Sequence, residues 1–154
     1  MSEKLSKEQF VELLRPLAEA LRAVDVDAPD AAQQAERAAA FGGESVAAIR
    51  RATFANAGGE WLMPKEAGGI RFGRVAKDLC GFSVDCVSMD RPGPRHRHPN
   101  GEIDLCFAGD GNGRFDGQPE GWVVYGKDSS HVPTVAGGEM LILYFLPGGA
   151  IEFD

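Results

Sequence analysis

The sequence predicts a mainly β protein, a single β-barrel or jelly roll preceded by an N-terminal segment of two to three helices. Three observations carry that expectation. Residues 1–58 place apolar side chains at three- and four-residue steps, the period of one helix face. From residue 59 to the end the pattern changes to short apolar runs separated by Gly, Pro, Asn and Asp, which is how strands and turns alternate. Those runs are short and similarly spaced, as in a barrel whose interior can hold a small ligand.

The elements follow in order. Phe10, Leu13, Leu14, Leu17, Ala20, Leu21 and Val24 form one helical stripe, and Ser6 with Gln9 forms a capping box at its start. A second helix is predicted from Pro29, whose fixed φ suits a first turn, to Phe41, where Gly42 and Gly43 permit a left-handed cap. A third runs from Glu44 to Phe54, and Ala55 to Glu60 reads as a linker. This helical arm carries no histidine and reads as a packing or dimerisation element, so the chain is expected to be a homodimer. Strands are predicted at Trp61 to Pro64, Ile70 to Ala76, Gly81 to Met89, Arg95 to His98 and Glu102 to Ala108. Three more follow at Gly121 to Tyr125, His131 to Val135 and Glu139 to Leu146. Arm and barrel (residues 59–154) are expected to form one structural unit.

Composition narrows the function classes. A formal charge of −7 offers no basic stripe for a phosphate backbone, so no nucleic-acid partner is expected. No run approaches the ~20 apolar residues of a membrane span, and Met1 to Phe10 is charged and polar, so no membrane partner and a cytoplasmic location are expected. Cys80, Cys86 and Cys106 are neither an even set nor a CxxC pair, and read as reduced core thiols.

Chemistry concentrates around the histidines, of which the chain has 3. His96 and His98 stand two apart, so on a strand both imidazoles face the same way. Pro99, Asn100 and Gly101 are turn formers that bring Glu102 alongside on the next strand. His131 follows the loop from Gly126 to Ser130. Three neutral nitrogens and one carboxylate suit one divalent transition metal with open positions: iron, manganese, zinc, nickel or cobalt. The competing reading is a basic surface loop, with His96 and His98 set between Arg95 and Arg97. The glutamate at turn distance and the placing of the remaining histidine favour the metal.

His96, His98, Glu102 and Gly109 resemble the first cupin motif (HxH, three residues, E, six residues, G), and Gly126 to His131 resembles the second, PxGxxH, in spacing. Longer strings are more specific. Ser83-Val84-Asp85, His98 to Cys106, Gly121 to Val124 and Met140 to Gly149, with the helical N-terminus, resemble the 4-hydroxylaminobenzoate lyase family of small cupin-like proteins of nitroaromatic degradation. The resemblance implies a metal-dependent carbon–nitrogen lyase on a small aromatic acid, converting 4-hydroxylaminobenzoate into 3,4-dihydroxybenzoate and ammonia. It makes Glu102, Asp104 and Tyr144 candidate catalytic residues. Asp104 shares its strand parity with Glu102 and is either the acid or base or a partner that orients a liganding histidine. A benzoate carboxylate calls for an arginine fork, for which Arg71 and Arg74 are the candidates. The alternatives are a cupin dioxygenase on an aromatic substrate and a cupin that binds a small acid without turnover.

Overall fold

The Ser6 hydroxyl accepts a hydrogen bond from the Gln9 amide at 3.1 Å while the Gln9 side chain accepts from the Ser6 amide at 2.9 Å, so the capping box closes as the sequence predicts. The computed structural model describes residues 4–153. Helix α1 (Lys7–Leu21) is followed by α2 (Ala31–Ala38) and α3 (Glu44–Asn56). The strands are β1 (Lys65–Ala67), β2 (Ile70–Leu79), β3 (Phe82–Met89), β4 (His96–His98), β5 (Glu102–Ala108) and β6 (Arg114–Phe115). They continue with β7 (Gly121–Tyr125), β8 (Ser129–His131), β9 (Val135–Ala136), β10 (Met140–Pro147) and β11 (Glu152–Phe153).

Several predicted elements differ, and in the following cases a specific contact or residue accounts for it. Helix α2 stops at Ala38 rather than Phe41 because Ala39 turns extended and its carbonyl accepts the Trp122 indole N–H at 2.8 Å. Gly43 takes no left-handed cap: with φ −80 it is the N-cap of α3. Helix α3 runs on through Ala55 and Asn56, and the Asn56 side chain ties the helix to the Leu5 amide at 3.1 Å. Trp61 to Pro64 form no strand: the Trp61 indole donates to the Leu5 carbonyl at 3.2 Å and its ring packs on Phe10. The strand starts at Lys65 instead. The predicted strand from His131 to Val135 is split, since β8 ends at His131 and β9 resumes at Val135, with Pro133 between them unable to donate to a ladder.

The large sheet has the order β1-β2-β3-β10-β5-β7, the second β11-β4-β8, and a two-stranded ribbon joins β6 to β9. Parity divides the large sheet's two faces. Val84, Cys86, Leu105, Phe107, Leu143 and Phe145 point outward and share one core with Phe10, Leu14, Leu17 and Leu21 of α1 and Val46 and Ile49 of α3. Met89, Cys106, Val123, Met140, Ile142 and Tyr144 point inward and form a second core with Phe115 and Val135. Strand β5 is therefore buried at every position. The helical arm's apolar stripe is spent on the sheet's outer face, which leaves the inner face to carry the polar residues of the site. No helix among the described residues is long and apolar enough to cross a membrane.

Candidate metal centre

Strand β4 is three residues long, and its alternation buries His96 and His98 while Arg97 points outward to Glu152 and Asp128. Its register with β8 sets His96 opposite His131 and His98 opposite Ser129. The turn at Pro99-Asn100-Gly101 closes with the Gly101 amide donating to the His98 carbonyl at 3.2 Å. Gly101 has φ 88, and a Cβ there would lie 2.7 Å from Val26 Cγ2 and 2.9 Å from the Tyr125 carbonyl oxygen, so the turn requires glycine. It delivers Glu102 as the first residue of β5, facing inward. Asp128, in the glycine position of the PxGxxH spacing, adopts φ 63, a left-handed conformation that Asp tolerates, and its amide donates to the His98 carbonyl at 2.7 Å.

The predicted ligands converge: one ligand atom from each of His96, His98, Glu102 and His131 lies within 4.8 Å of the others. Every imidazole turns Nε2 to the centre and has a partner for Nδ1. His96 Nδ1 lies 3.2 Å from the Pro94 carbonyl oxygen, an acceptor only. His131 Nδ1 lies 2.7 Å from Asp116 Oδ2. His98 Nδ1 lies 2.9 Å from Ser129 Oγ, whose own proton goes to the Gly126 carbonyl at 2.6 Å, so Ser129 accepts. Each neutral ring thus carries its proton on Nδ1 and presents a bare Nε2 lone pair. The Nε2 atoms of His96 and His131 are 3.1 Å apart, and that of His98 is 3.2 Å from Glu102 Oε2.

Lone pairs so close repel unless a cation lies among them. Both Glu102 oxygens and His98 Nε2 are buried without a hydrogen-bond partner, a costly arrangement for polar atoms. The residues fit a divalent first-row metal, and the Nδ1 partners are those that fix the tautomer of a ligating histidine. Burial works to raise the Glu102 carboxyl, but His96, His98 and Asp104 around it outweigh burial and hold it at about 2.

Of the remaining candidates, Asp104, Tyr144 and Arg74 occupy one row across the inner face, with Asp85 between Tyr144 and Arg74. Cross-strand register aligns Arg74 with Asp85, Asp85 with Tyr144 and Tyr144 with Asp104. Burial first, and the Glu102 carboxylate second, push the Asp104 carboxyl well above its ordinary value. Tyr144 is pushed up, chiefly by burial, and its hydroxyl has only the Met89 sulfur at 3.8 Å as partner. A cavity of about 790 Å³ opens onto His96, Glu102 and Tyr144, and Arg74 and Asp85 stand on its wall. Arg74 pairs with Asp85 through Nε at 2.8 Å and Nη2 at 3.2 Å. Arg71 has the opposite parity and donates to the Ala57 carbonyl at 2.6 Å, away from the cavity lining. Sequence reasoning missed Asp116 and Ser129, the Nδ1 partners. Asp116 belongs to no motif and Ser129 is an unspecified position of the second cupin motif, and only the fold brings Asp116 to a histidine 15 positions away.

The sequence family described as PnbB, 4-hydroxylaminobenzoate lyase, matches residues 17–153. A relative in Nocardioides sp. (strain LMS-CY), named 4-hydroxylaminobenzoate lyase, is 32% identical over 108 residues, 61% of this chain and 63% of its own length. One of the same name in Pseudomonas putida is 31% identical over 84 residues, 52% of this chain and 48% of its own length. The matches therefore span about half to two thirds of these curated relatives. Similar solved structures include an RmlC-like cupin from Ralstonia eutropha, 14% identical with TM-score 0.43, covering 60% of this chain and 73% of that one. A second is the complex of Rhodobacter sphaeroides SigE with the anti-sigma ChrR, 15% identical with TM-score 0.49, covering 93% of this chain and 97% of that one. With the family match spanning nearly all of its length, the chain belongs to the 4-hydroxylaminobenzoate lyase family.

Proposed function

We propose that this protein is a metal-dependent carbon–nitrogen lyase that converts 4-hydroxylaminobenzoate and water into 3,4-dihydroxybenzoate and ammonia. The observation that carries the reading is that His96 and Glu102, two of the four clustered ligand residues, open onto a largely apolar cavity of about 790 Å³. That volume lies within the usual range for small-molecule sites. Ile70, Phe72, Val87, Met89 and Leu146 supply apolar walls for one aromatic ring. The two relatives named for this activity support the substrate.

The overall reaction balances with water alone. The N-hydroxyl oxygen and the nitrogen leave the substrate's hydroxylamino group, two ring hydroxyls appear, and no external oxidant is consumed. His96, His98, Glu102 and His131 would hold the ion, which when bound supplies Lewis acidity and acidifies water. The protein's own residues bind and move protons. Arg74, held edge-on by Asp85, offers the substrate carboxylate a guanidinium whose Nη1 is not used in that pair. Tyr144 presents a protonated phenol to the cavity with a weak sulfur partner to give up, so it can donate to the departing oxygen or nitrogen. Asp104, fully buried opposite Tyr144 with its carboxyl pushed well above its ordinary value, can hold a second proton next to Glu102.

The test is anaerobic turnover. Purified protein is analysed for metal, then incubated under argon with 4-hydroxylaminobenzoate while ammonia and 3,4-dihydroxybenzoate are assayed. Equal amounts of both products are expected. Metal-loaded protein that yields ammonia only in air, or none at all, would overturn the lyase reading.

A further inference from the structure

We infer that Asp116 is the positioning residue of the metal centre, holding His131 as a ligand through its Nδ1 proton and bracing a second ligand through Tyr125. The inference rests on the metal reading above and goes beyond the ligand set. His131 is the ligand that most needs such support. It is the last residue of β8, next to the break at Pro133, and its side chain is 13% exposed, against 5% for His96 and 0% for His98. The other two rings give their Nδ1 protons to neutral oxygens, whereas His131 gives its proton to a carboxylate.

Every bond that Asp116 makes converges on this point. Its residue follows β6 with φ 49, a left-handed conformation that aims the side chain back toward β8. Its amide donates to the Thr134 carbonyl at 2.8 Å, and Oδ1 accepts the Thr134 amide at 2.9 Å, so backbone and side chain grip the segment that follows His131. Oδ2 accepts both His131 Nδ1, at 2.7 Å, and the Tyr125 hydroxyl. The Tyr125 ring packs on His131 with centroids 4.3 Å apart and stacks on His98 at 5.5 Å and 25°. One carboxylate thus joins the β6 turn, β7, the end of β8 and two of the three histidine ligands. All three groups that face it are donors. An amide in its place would turn its NH₂ toward at least one of them, and where it faced His131 it would shift the ring proton to Nε2, the nitrogen needed for the metal.

The chain's 3 histidines make the ring tautomers directly readable by ¹⁵N NMR of histidine-labelled, metal-free protein. The expected result is a proton on Nδ1 of His131 in the wild type and a shift toward Nε2–H at His131 alone in Asp116→Asn. Titration with Co(II) should show about 10- to 100-fold weaker binding to Asp116→Asn than to the wild type, with a changed visible spectrum. Tyr125→Phe, which removes one donor to the same oxygen while leaving the His131 bond, should change affinity less than Asp116→Asn does. It also keeps the test open if the Asn variant does not fold, because the wild-type tautomer is measured without any substitution. A His131 proton on Nε2 in the wild type, or unchanged Co(II) affinity in folded Asp116→Asn, would overturn the role of Asp116. Wild-type protein that bound no Co(II) or Zn(II) at all would overturn the metal reading itself, a separate outcome.

Discussion

Stripping the divalent ion should lower the melting temperature, and the size of the fall can be worked out. The ligand cluster exists only when β4, β5 and β8 are assembled, so a metal bound there binds the folded state and stabilises it by mass action. At free metal about 100 times its dissociation constant the gain is about 2.7 kcal/mol. Unfolding entropy of about 2.1 cal/mol/K per residue, for a chain of 154 residues, comes to about 0.3 kcal/mol/K, so the melting temperature should rise by about 8 °C. The assay is a thermal melt of chelator-treated protein with iron, manganese, zinc, nickel or cobalt added back singly, the best binder giving the shift. His98→Ala supplies the control. If losing one ligand weakens binding about 100-fold, the same metal concentration gives about 0.4 kcal/mol and a shift near 1 °C. The variant also loses a fully buried ring, so its metal-free melting temperature should fall, and the shift on adding metal is the quantity to compare. A wild-type shift below about 2 °C with every ion, or a full shift retained in His98→Ala, would refute the four-ligand centre.

Three further outcomes follow from the site and the core. Arg74→Ala should raise KM for 4-hydroxylaminobenzoate about 10- to 100-fold, the loss of one hydrogen bond to a charged group, while Arg71→Ala leaves KM within about 3-fold; steady-state kinetics showing the reverse would move the carboxylate elsewhere. Tyr144→Phe should lower kcat by about 100-fold or more, with a small change in melting temperature because the hydroxyl's partner is a sulfur at 3.8 Å; a kcat within about 3-fold of wild type would remove the phenol from proton transfer. Burial pushes the Cys86 thiol up to about 12 and Cys106 well above its ordinary value, so both stay protonated at pH 8, and alkylation of the folded protein should modify Cys80 alone. Two adducts by intact-mass measurement before denaturation would contradict this packing.

What the sequence by itself determined is the chemistry that spans a few residues. His96, His98 and Glu102 lie within one strand, one turn and the start of the next strand, so a side-chain period of two and three turn formers suffice to bring them together. The α1 stripe and its capping box are equally local, and so is the strand at Glu102–Ala108, whose boundaries stand as predicted. Periodicity and turn propensity act over this range, and they are legible without a fold.

The tertiary structure decided what depends on register between strands distant in the chain. His131 joins the site because β8 pairs with β4 across 35 positions, and Ser129 becomes the His98 partner through that same pairing, whereas Asp116 reaches His131 through the pairing of β6 with β9 and its bonds to Thr134. Arg71 and Arg74 are three apart and so must face opposite sides of a strand. Only the packing of the helices on the outer face determines that Arg74 meets the cavity and Arg71 a backbone carbonyl near the end of α3. The end of α2 was missed for the same reason: a helix stops where a distant indole claims its last carbonyl, and no neighbour in sequence announces that Trp122 will arrive there. Such contacts are selected by burial of whole faces, a property of the assembled layers that no short window of residues contains.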